Sequence, residues 1–441
     1  MNFLANFFNK KVSRVYLDHA GSTPIFSGAL NALRVSSLIY GNPSGIHKEG
    51  VQSGLLLDKA RAICGRLLNA HAYEIYFVGS GTESCNLAIL GTYESFIKDN
   101  PGKVPHIITT EIEHPAVLEA IRFLEKKRLV NVTYLKTYED GIVKLNDFKE
   151  ALTPETILVS VMYANNEIGT IQPIKEIGRA LDEWKKENGK TFTSYPYFHT
   201  DACQAGNYLS LDVVRLRAHM ITVNSSKVYG PKGIALLYKR EGIKVDPIVH
   251  GGGQERGLRS GTEDASSAYA FSIALEEAVR LRETESERLR ELRDYFKEKA
   301  EKEIPAIKFY GAWDIYKSRV DIPQLVESGK WKVGESLHAT LYALHSELRL
   351  PNNINCRIPG ITSEEMILRL DAKGFAISHK SACASSETDG SYVIISLGES
   401  EMAAKENLRI TLGRTTAKKD MNDLVMAMKE IAEKYVKKIE S

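Results

Sequence analysis

The stretch EIYFVGSGTESCNLAILGTYESFIKDNPGKVPHIITTEIEHPAVLEAIRFLEKKRLVNVTYL (residues 74–135) decides the fold. It begins with a β-rich run, EIYFV (74–78), and passes through a helical stretch over 82–98. HIITT (106–110) follows, then a second helical stretch over 115–128, then VTYL (132–135). Short apolar runs that alternate with helix-length segments predict a largely parallel sheet covered by helices on both faces. The same alternation extends outward. Upstream lies a helical pattern over 49–69; downstream come TILVSVM (156–162), a helix over 173–187, YFHTD (197–201), MITV (220–223) and IALLY (234–238). The expected class is α/β: a large domain over 15–263 built on a mostly parallel seven-stranded sheet. Sheets of this kind bind ligands in the loops beyond the carboxyl ends of their strands.

Residues 264–302 contain neither glycine nor proline and become sharply charged half-way along. They predict one long connecting helix, its first half packed and its second half solvated. Beyond it, 303–441 reads as a smaller α+β domain with a helix over 363–373, strands at 375–378 and 408–412, and a closing helix from about 417. Residues 1–40 are expected to pack on it. The aromatic- and lysine-rich stretch 311–349 fits poorly and reads as an insertion.

Composition narrows the function classes. The chain has 441 residues, 43% apolar and 26% charged, with a formal charge of +2. This is an ordinary globular balance, and it removes the electrostatic argument for nucleic acid or an anionic membrane as partner. Apolar runs are broken well short of the roughly 18 residues a membrane span needs, and the first residues do not read as a signal peptide. Five cysteines (Cys64, Cys85, Cys203, Cys356, Cys383) without a CxxC argue against a disulfide framework or a zinc module. The expectation is a cytoplasmic chain, with no metal, in which one cysteine can work as a thiolate.

Candidate chemistry sits in five places. VGSGTESCNLAI (78–89) is a strand, a Gly-Ser-Gly-Thr turn and a helix. Free amides there suit phosphate, though a simple cap at Thr82 explains the turn equally well. Asp201, with Gln204 three residues on, ends a strand; it is either a helix cap or a partner for a protonated heteroaromatic nitrogen. Lys227 lies in ITVNSSKVYGPKG (221–233), either solvated or a Schiff-base lysine. HGGGQERGLRSGTEDA (250–265) offers Arg and Thr262 to a phosphate, or serves as a flexible turn. Cys383 stands among small and polar residues close to His379 and Lys380, a setting that favours a thiolate. Cys64 and Cys85 fall in helical patterns, Cys356 in a strand, and Cys203 is a rival nucleophile held at a strand end. A phosphate turn, a strand-end Asp and a Schiff-base Lys in this order point to pyridoxal phosphate.

The chain resembles the cysteine desulfurases, pyridoxal phosphate enzymes of fold type I, over about residues 14–310 and 350–430. The motifs are YLDHAGSTP (16–24), GNPSGIHKEG (41–50), GSGTESCNLAI (79–89), TTEIEHPAVLEA (109–120), VMYANNEIGTIQPI (161–174), HTDACQAG (199–206), SSKVYGPKG (225–233), HGGGQERGLRSGTED (250–264), SACASS (381–386) and LRITLGR (408–414). The resemblance implies that Lys227 binds the cofactor aldehyde and Asp201 pairs with its ring nitrogen. His114 would stack on the ring and assist proton transfers, with Asn166 and Gln204 touching ring and phenolic oxygen. Gly81, Thr82, Ser225 and Ser226 would hold the phosphate, joined by Thr262 from the second subunit of a homodimer. Arg409, with Asn42 and Asn166, would bind the substrate carboxylate.

The implied reaction converts L-cysteine to L-alanine and leaves a persulfide on Cys383. Its sulfur would go to an acceptor such as an iron–sulfur scaffold protein, and the stretch from Ser381 to Tyr392 matches the longer-loop branch of the family. There are departures. Ser226 stands where the family has His, LDHAGSTP resembles molybdenum-cofactor sulfurases, and His379-Lys380 replaces the common Ser-Gly. They keep a selenocysteine lyase-like enzyme, a dedicated sulfurase or a silent scaffold paralogue as alternatives.

Overall fold

The computed structural model describes residues 14–313, 348–379 and 390–439. Its centre is a seven-stranded sheet of order β2-β8-β7-β6-β5-β3-β4. The strands are β2 (Ile75–Val78), β3 (His106–Thr110), β4 (Asn131–Leu135), β5 (Thr156–Ser160), β6 (Tyr197–Asp201), β7 (Met220–Asn224) and β8 (Ala235–Lys239). Neighbours pair in parallel from β7 through β4, and β8 alone runs against the rest. Every expected strand of this region is present, with ends moved by one or two residues. The run 156–162 stops early as a strand because the Met162 amide is taken by the Glu113 carboxylate, 2.8 Å away.

Helices cover both faces. On one side Lys48–Leu68, Ile174–Glu187 and the start of Ala265–Glu303 bury Leu57, Cys64, Ile177, Leu181, Phe271 and Leu275 against Phe77, Val159, Phe198 and Val223. On the other, Gly81–Asp99 and Pro115–Lys126 bury Leu87, Ile89, Val117 and Ile121 against Leu158 and Leu237. Strands buried on both faces explain why their sequences read as near-continuous apolar runs.

The helix Ala265–Glu303 is capped by Asp264, whose carboxylate accepts from the Ser267 amide at 2.9 Å. Its second half is packed and not solvated, contrary to the reading of its composition. Leu289, Leu292, Phe296 and Ala300, spaced three and four apart, enter a second core with Ile354, Cys356, Leu408, Ile410, Leu424 and Met428. The charges that mask this stripe pair along the helix, as in Arg288–Glu285 and Lys297–Glu301, while buried Arg293 donates to the Leu350 carbonyl at 3.1 Å.

That second core is built around a three-stranded antiparallel sheet, β12-β10-β9, from β9 (Lys308–Phe309), β10 (Asn353–Arg357) and β12 (Asn407–Thr411). The N-terminal strand β1 (Val15–Tyr16) pairs in parallel with β11 (Phe375–Ala376). The expected strand 375–378 is therefore shared: Ser378 leaves β1 and exchanges hydrogen bonds with Arg409 of β12 (2.8 and 3.2 Å). Only the ends of stretch 311–349 are described. The fully buried Arg349 donates to the carbonyls of Tyr310 and Asn353 (2.8 and 3.1 Å), and its guanidinium lies 4.0 Å from the Trp313 ring. Gly311 has φ +86°, and a Cβ there would sit 2.6 Å from Arg349 Nη1. Among the described residues no helix is long and apolar enough to cross a membrane.

Burial also changes one lysine. Lys185, 2% exposed, donates to the Phe192 carbonyl at 2.7 Å and lies 3.2 Å from His219 Nε2. Burial pulls its pKa down to about 7. Between that value and the ordinary 10.5 the unfolded chain binds more protons, so this group's contribution to stability grows as pH rises through the window. The melting temperature of the native protein minus that of Lys185→Met should therefore rise by about 2–4 °C from pH 6.5 to 9.5. A difference independent of pH would refute the assignment.

Candidate functional site

The expected site residues emerge where the parallel strands end. Beyond β2, the turn Gly79–Thr82 opens the helix Gly81–Asp99. Ser80 caps that helix by accepting from the Glu83 amide at 3.1 Å. The first amides of a helix have no partner within it, so those of Gly81 and Thr82 face outward with the positive end of the dipole. A Cβ on Gly81 would come within 3.1 Å of Cys203 Sγ, so only glycine leaves this floor unobstructed. Glu83 braces the turn. One of its oxygens accepts from the Gly79 amide at 2.7 Å, and Arg259 binds both oxygens (2.6 and 3.2 Å).

Beyond β6, buried Asp201 accepts from the Cys203 amide at 2.9 Å with one oxygen. Beyond β7, Lys227 ends a short 3₁₀ turn (Ser225–Lys227) and donates its Nζ to the carbonyls of Ala20, at 2.6 Å, and Gly21. Gln204 donates to the same Ala20 carbonyl at 3.1 Å. Beyond β3, His114 caps the helix Pro115–Lys126, its Nδ1 accepting from the Ala116 amide at 3.1 Å. The proton of the neutral ring is therefore on Nε2. Burial pushes the His114 pKa down; Asp201 opposes this while Lys227 and Arg409 add to it, so the imidazole is uncharged among three charged neighbours. A cavity of about 450 Å³ lined by Thr82, Asn86, His114 and Phe123 opens beside them.

The far wall comes from the three-stranded sheet. Arg409, 1% exposed, pairs with Asp18 through Nη2 at 2.8 Å and reaches the Asn166 carbonyl with Nη1 at 3.4 Å; its Nε has no partner among the described residues. Asn166 itself, beyond β5, is buried, and its Oδ1 has no partner among the described residues.

One chain thus brings together Gly81, Thr82, His114, Asn166, Asp201, Gln204, Lys227 and Arg409; Ser225 opens the turn that carries Lys227, but its Oγ lies against Gly230. Ser226 keeps its hydroxyl on Asn224 Oδ1 at 3.2 Å. Asn42 is exposed and spends its side-chain oxygen on the Ser44 amide at 2.9 Å, and Thr262 is exposed on its loop; neither is hydrogen-bonded to the cluster. Cys383 lies outside the described residues. Five residues were not named from sequence: Asp18, Ala20 with its carbonyl, Arg259, Glu83 and Glu113. Asp18 and Ala20 lie inside the quoted motif YLDHAGSTP, but a backbone acceptor leaves no side-chain signal. Glu113 is fully buried; burial raises its carboxyl pKa to about 8, and Thr110 and Met162 both donate to a single oxygen (2.8 Å each). It is the residue preceding His114.

The residues present fit pyridoxal phosphate. Among the described residues, buried polar atoms left without partners include Asn166 Oδ1 and Ser225 Oγ. Such orphans are costly unless a ligand or water completes them. The site also offers a glycine floor, a carboxylate and an amine, which are the complements of a phosphate, a ring nitrogen and an aldehyde. Among the described residues no His/Cys/Asp/Glu group could hold a metal ion.

Comparisons with known proteins agree with this geometry. The family model for aminotransferase class-V matches residues 15–322. The chain is 36% identical over 421 residues to the cysteine desulfurase IscS of Dictyoglomus turgidum, covering 95% of each. A solved NifS-like protein superposes with TM-score 0.79 at 28% identity, covering 95% of this chain and 99% of that one. SspA, solved in complex with cysteine, gives TM-score 0.66 at 28% identity over 90% of this chain and 98% of its own. Likeness over nearly the full length of both partners leaves no part of the described site outside the match, and the chain belongs to the pyridoxal phosphate-dependent cysteine desulfurases of the class-V aminotransferase family.

Proposed function

We propose that the chain converts L-cysteine to L-alanine and captures the sulfur on Cys383 as a persulfide. The observation that carries this is the gathering of the Lys227 amine, the Asp201 carboxylate and the Arg409 guanidinium around neutral His114. Bound pyridoxal phosphate supplies an electron sink that makes the bonds around the substrate α-carbon labile. The amides of Gly81 and Thr82, with Ser225, would hold the phosphate. Asp201 would keep the ring nitrogen protonated, and Asn166 and Gln204 would contact ring and phenolic oxygen. Lys227 would hold the cofactor and is the amine that would carry the substrate's α-proton on Nζ. His114 would offer the ring an uncharged face, which does not repel a cation.

Arg409 binds the substrate α-carboxylate, sharing its fork with Asp18; a planar guanidinium suits that task. SspA's complex with cysteine supports cysteine as the substrate here. The sulfur step balances as cysteine plus the Cys383 thiol giving alanine plus the Cys383 persulfide. The other four cysteines support Cys383 by elimination. Burial pushes the Cys64 and Cys356 thiols up to about 12 and those of Cys85 and Cys203 well above their ordinary value. None of these four is a thiolate at neutral pH.

The reading extends to a homodimer in which Thr262, exposed on its own chain, completes the partner's phosphate site, with Asn42 near the substrate. Its sulfur goes to an acceptor protein, such as an iron–sulfur scaffold, in the cytoplasm. It also treats 15–263 as the cofactor domain, 264–302 as the connecting helix and 303–441 as the small domain that contributes Arg409 and Cys383, with 311–349 as its insertion.

The deciding experiment is an assay of alanine and sulfide from L-cysteine. Cys383→Ala should lower turnover at least about a hundredfold while the cofactor band still responds to cysteine; full activity in that variant would sink the persulfide mechanism. Lys227→Ala should abolish the visible band of the purified protein. Arg409→Lys should raise KM for cysteine about tenfold or more with cofactor content unchanged, and an unaltered KM would remove Arg409 from the carboxylate site.

A further inference from the structure

The loop over 250–264 returns to the turn Gly79–Thr82 and brings a cation with it. Glu255 and Arg256 are consecutive non-glycine residues with φ of +47° and +56°. Left-handed backbone at two such positions is strained and persists only where neighbours hold it. Glu255, 2% exposed, accepts from Arg61 Nη2 at 2.9 Å, and Arg256 donates to the Ile75 carbonyl of β2 at 2.5 Å. Leu258 is buried in the core that also holds Leu87 and Leu237. The loop then delivers Arg259 to Glu83, 176 positions away in the chain. Nε and Nη2 of the guanidinium meet both carboxylate oxygens, at 2.6 and 3.2 Å.

Glu83 has two conflicting effects where it stands. It lies in the first turn of the helix Gly81–Asp99, where a carboxylate complements the helix dipole. It also shapes the turn, because its Oε2 accepts from the Gly79 amide at 2.7 Å. A Cβ on Gly79 would come 2.8 Å from that oxygen and 3.4 Å from Arg259 Nη2, so the pair fills the space a side chain would need. A bare carboxylate on this turn would nevertheless repel a phosphate dianion held by the neighbouring amides. A bidentate guanidinium cancels the charge and still leaves a lone pair for Gly79, a task for which the fork of arginine suits better than an ammonium. Tethering the loop does not require this contact, since Arg61 and Arg256 already fasten it.

We propose that Arg259 is a positioning residue for the cofactor phosphate: it neutralises the carboxylate that shapes the Gly79–Thr82 turn, so that the turn keeps its form and accepts a dianion. This inference rests on the reading that the Gly81 and Thr82 amides hold the phosphate.

The test titrates the full-length protein, by visible absorbance, with pyridoxal phosphate and with pyridoxal, which lacks the phosphate. Arg259→Gln should weaken pyridoxal phosphate about tenfold or more and pyridoxal by less than about twofold, as expected for the loss of one interaction with a charged group. Adding Glu83→Gln to that variant deletes the uncovered charge and keeps an acceptor for Gly79. The double variant should bind pyridoxal phosphate within about threefold of the native protein, a coupling that only interacting residues show. Equal losses for the two ligands in Arg259→Gln would overturn the inference, because a simple loop tether produces that result. So would a double variant no better than Arg259→Gln. Gly81→Ala should also weaken pyridoxal phosphate more than pyridoxal; an unchanged ratio there would instead overturn the phosphate-turn reading, and this inference with it.

Discussion

Arg409 is a guanidinium with 1% exposure, and its compensation organises the molecule. A buried charge is tolerated only when its partners are in place. Here they come from three distant parts of the chain: Asp18 follows the first strand, Asn166 offers a carbonyl from the loop beyond β5, and Ser378 pairs with the arginine's own backbone. The ion pair therefore requires the N-terminal segment to cross over and lie against β12. Once there, that segment presents the carbonyls of Ala20 and Gly21 to Lys227. One electrostatic requirement thus joins the two sheets and sets the position of the Lys227 amine.

Around that joint runs a continuous buried polar seam. Asn353 and Asn355 reach the carbonyls of Asn166 and Glu167, and Asn355 and Asn407 exchange side-chain hydrogen bonds across β10 and β12. Glu113, Asn165 and Glu167 continue it toward His114. Polar networks of this kind specify one arrangement more sharply than apolar packing, because any shift leaves donors unpaired at low dielectric. That suits an enzyme whose amine, carboxylate and guanidinium come from separate strands and must meet at one small molecule. Among the described residues the seam leaves Asn166 Oδ1 unpaired, on the residue whose carbonyl meets the Arg409 guanidinium.

Much of this was legible from residue patterns. The strand–helix alternation over 74–135 and its continuation produced the large sheet, because strands buried on both faces carry uninterrupted apolar runs. Lys227, Asp201 and Gly81 were legible because each stands at a strand end flanked by small residues. The second half of the helix Ala265–Glu303 was misread: Leu289, Leu292, Phe296 and Ala300 form a narrow stripe inside a dense charge run, and composition hides what spacing reveals. Ser378 changes partner from β1 to β12, so a single expected strand became two short pairings.

The amino-acid sequence by itself determined the α/β class and the order of the strands along the chain, because periodicity and residue chemistry are local properties. Tertiary structure alone decided which groups share the pocket. Asp18 faces Arg409 across a separation of 391 residues, and Gln204 and Lys227 meet on a carbonyl some two hundred residues upstream. It also made His114 neutral and raised the Glu113 carboxyl to about 8, since desolvation depends on what packs around a group and on nothing written beside it in the chain.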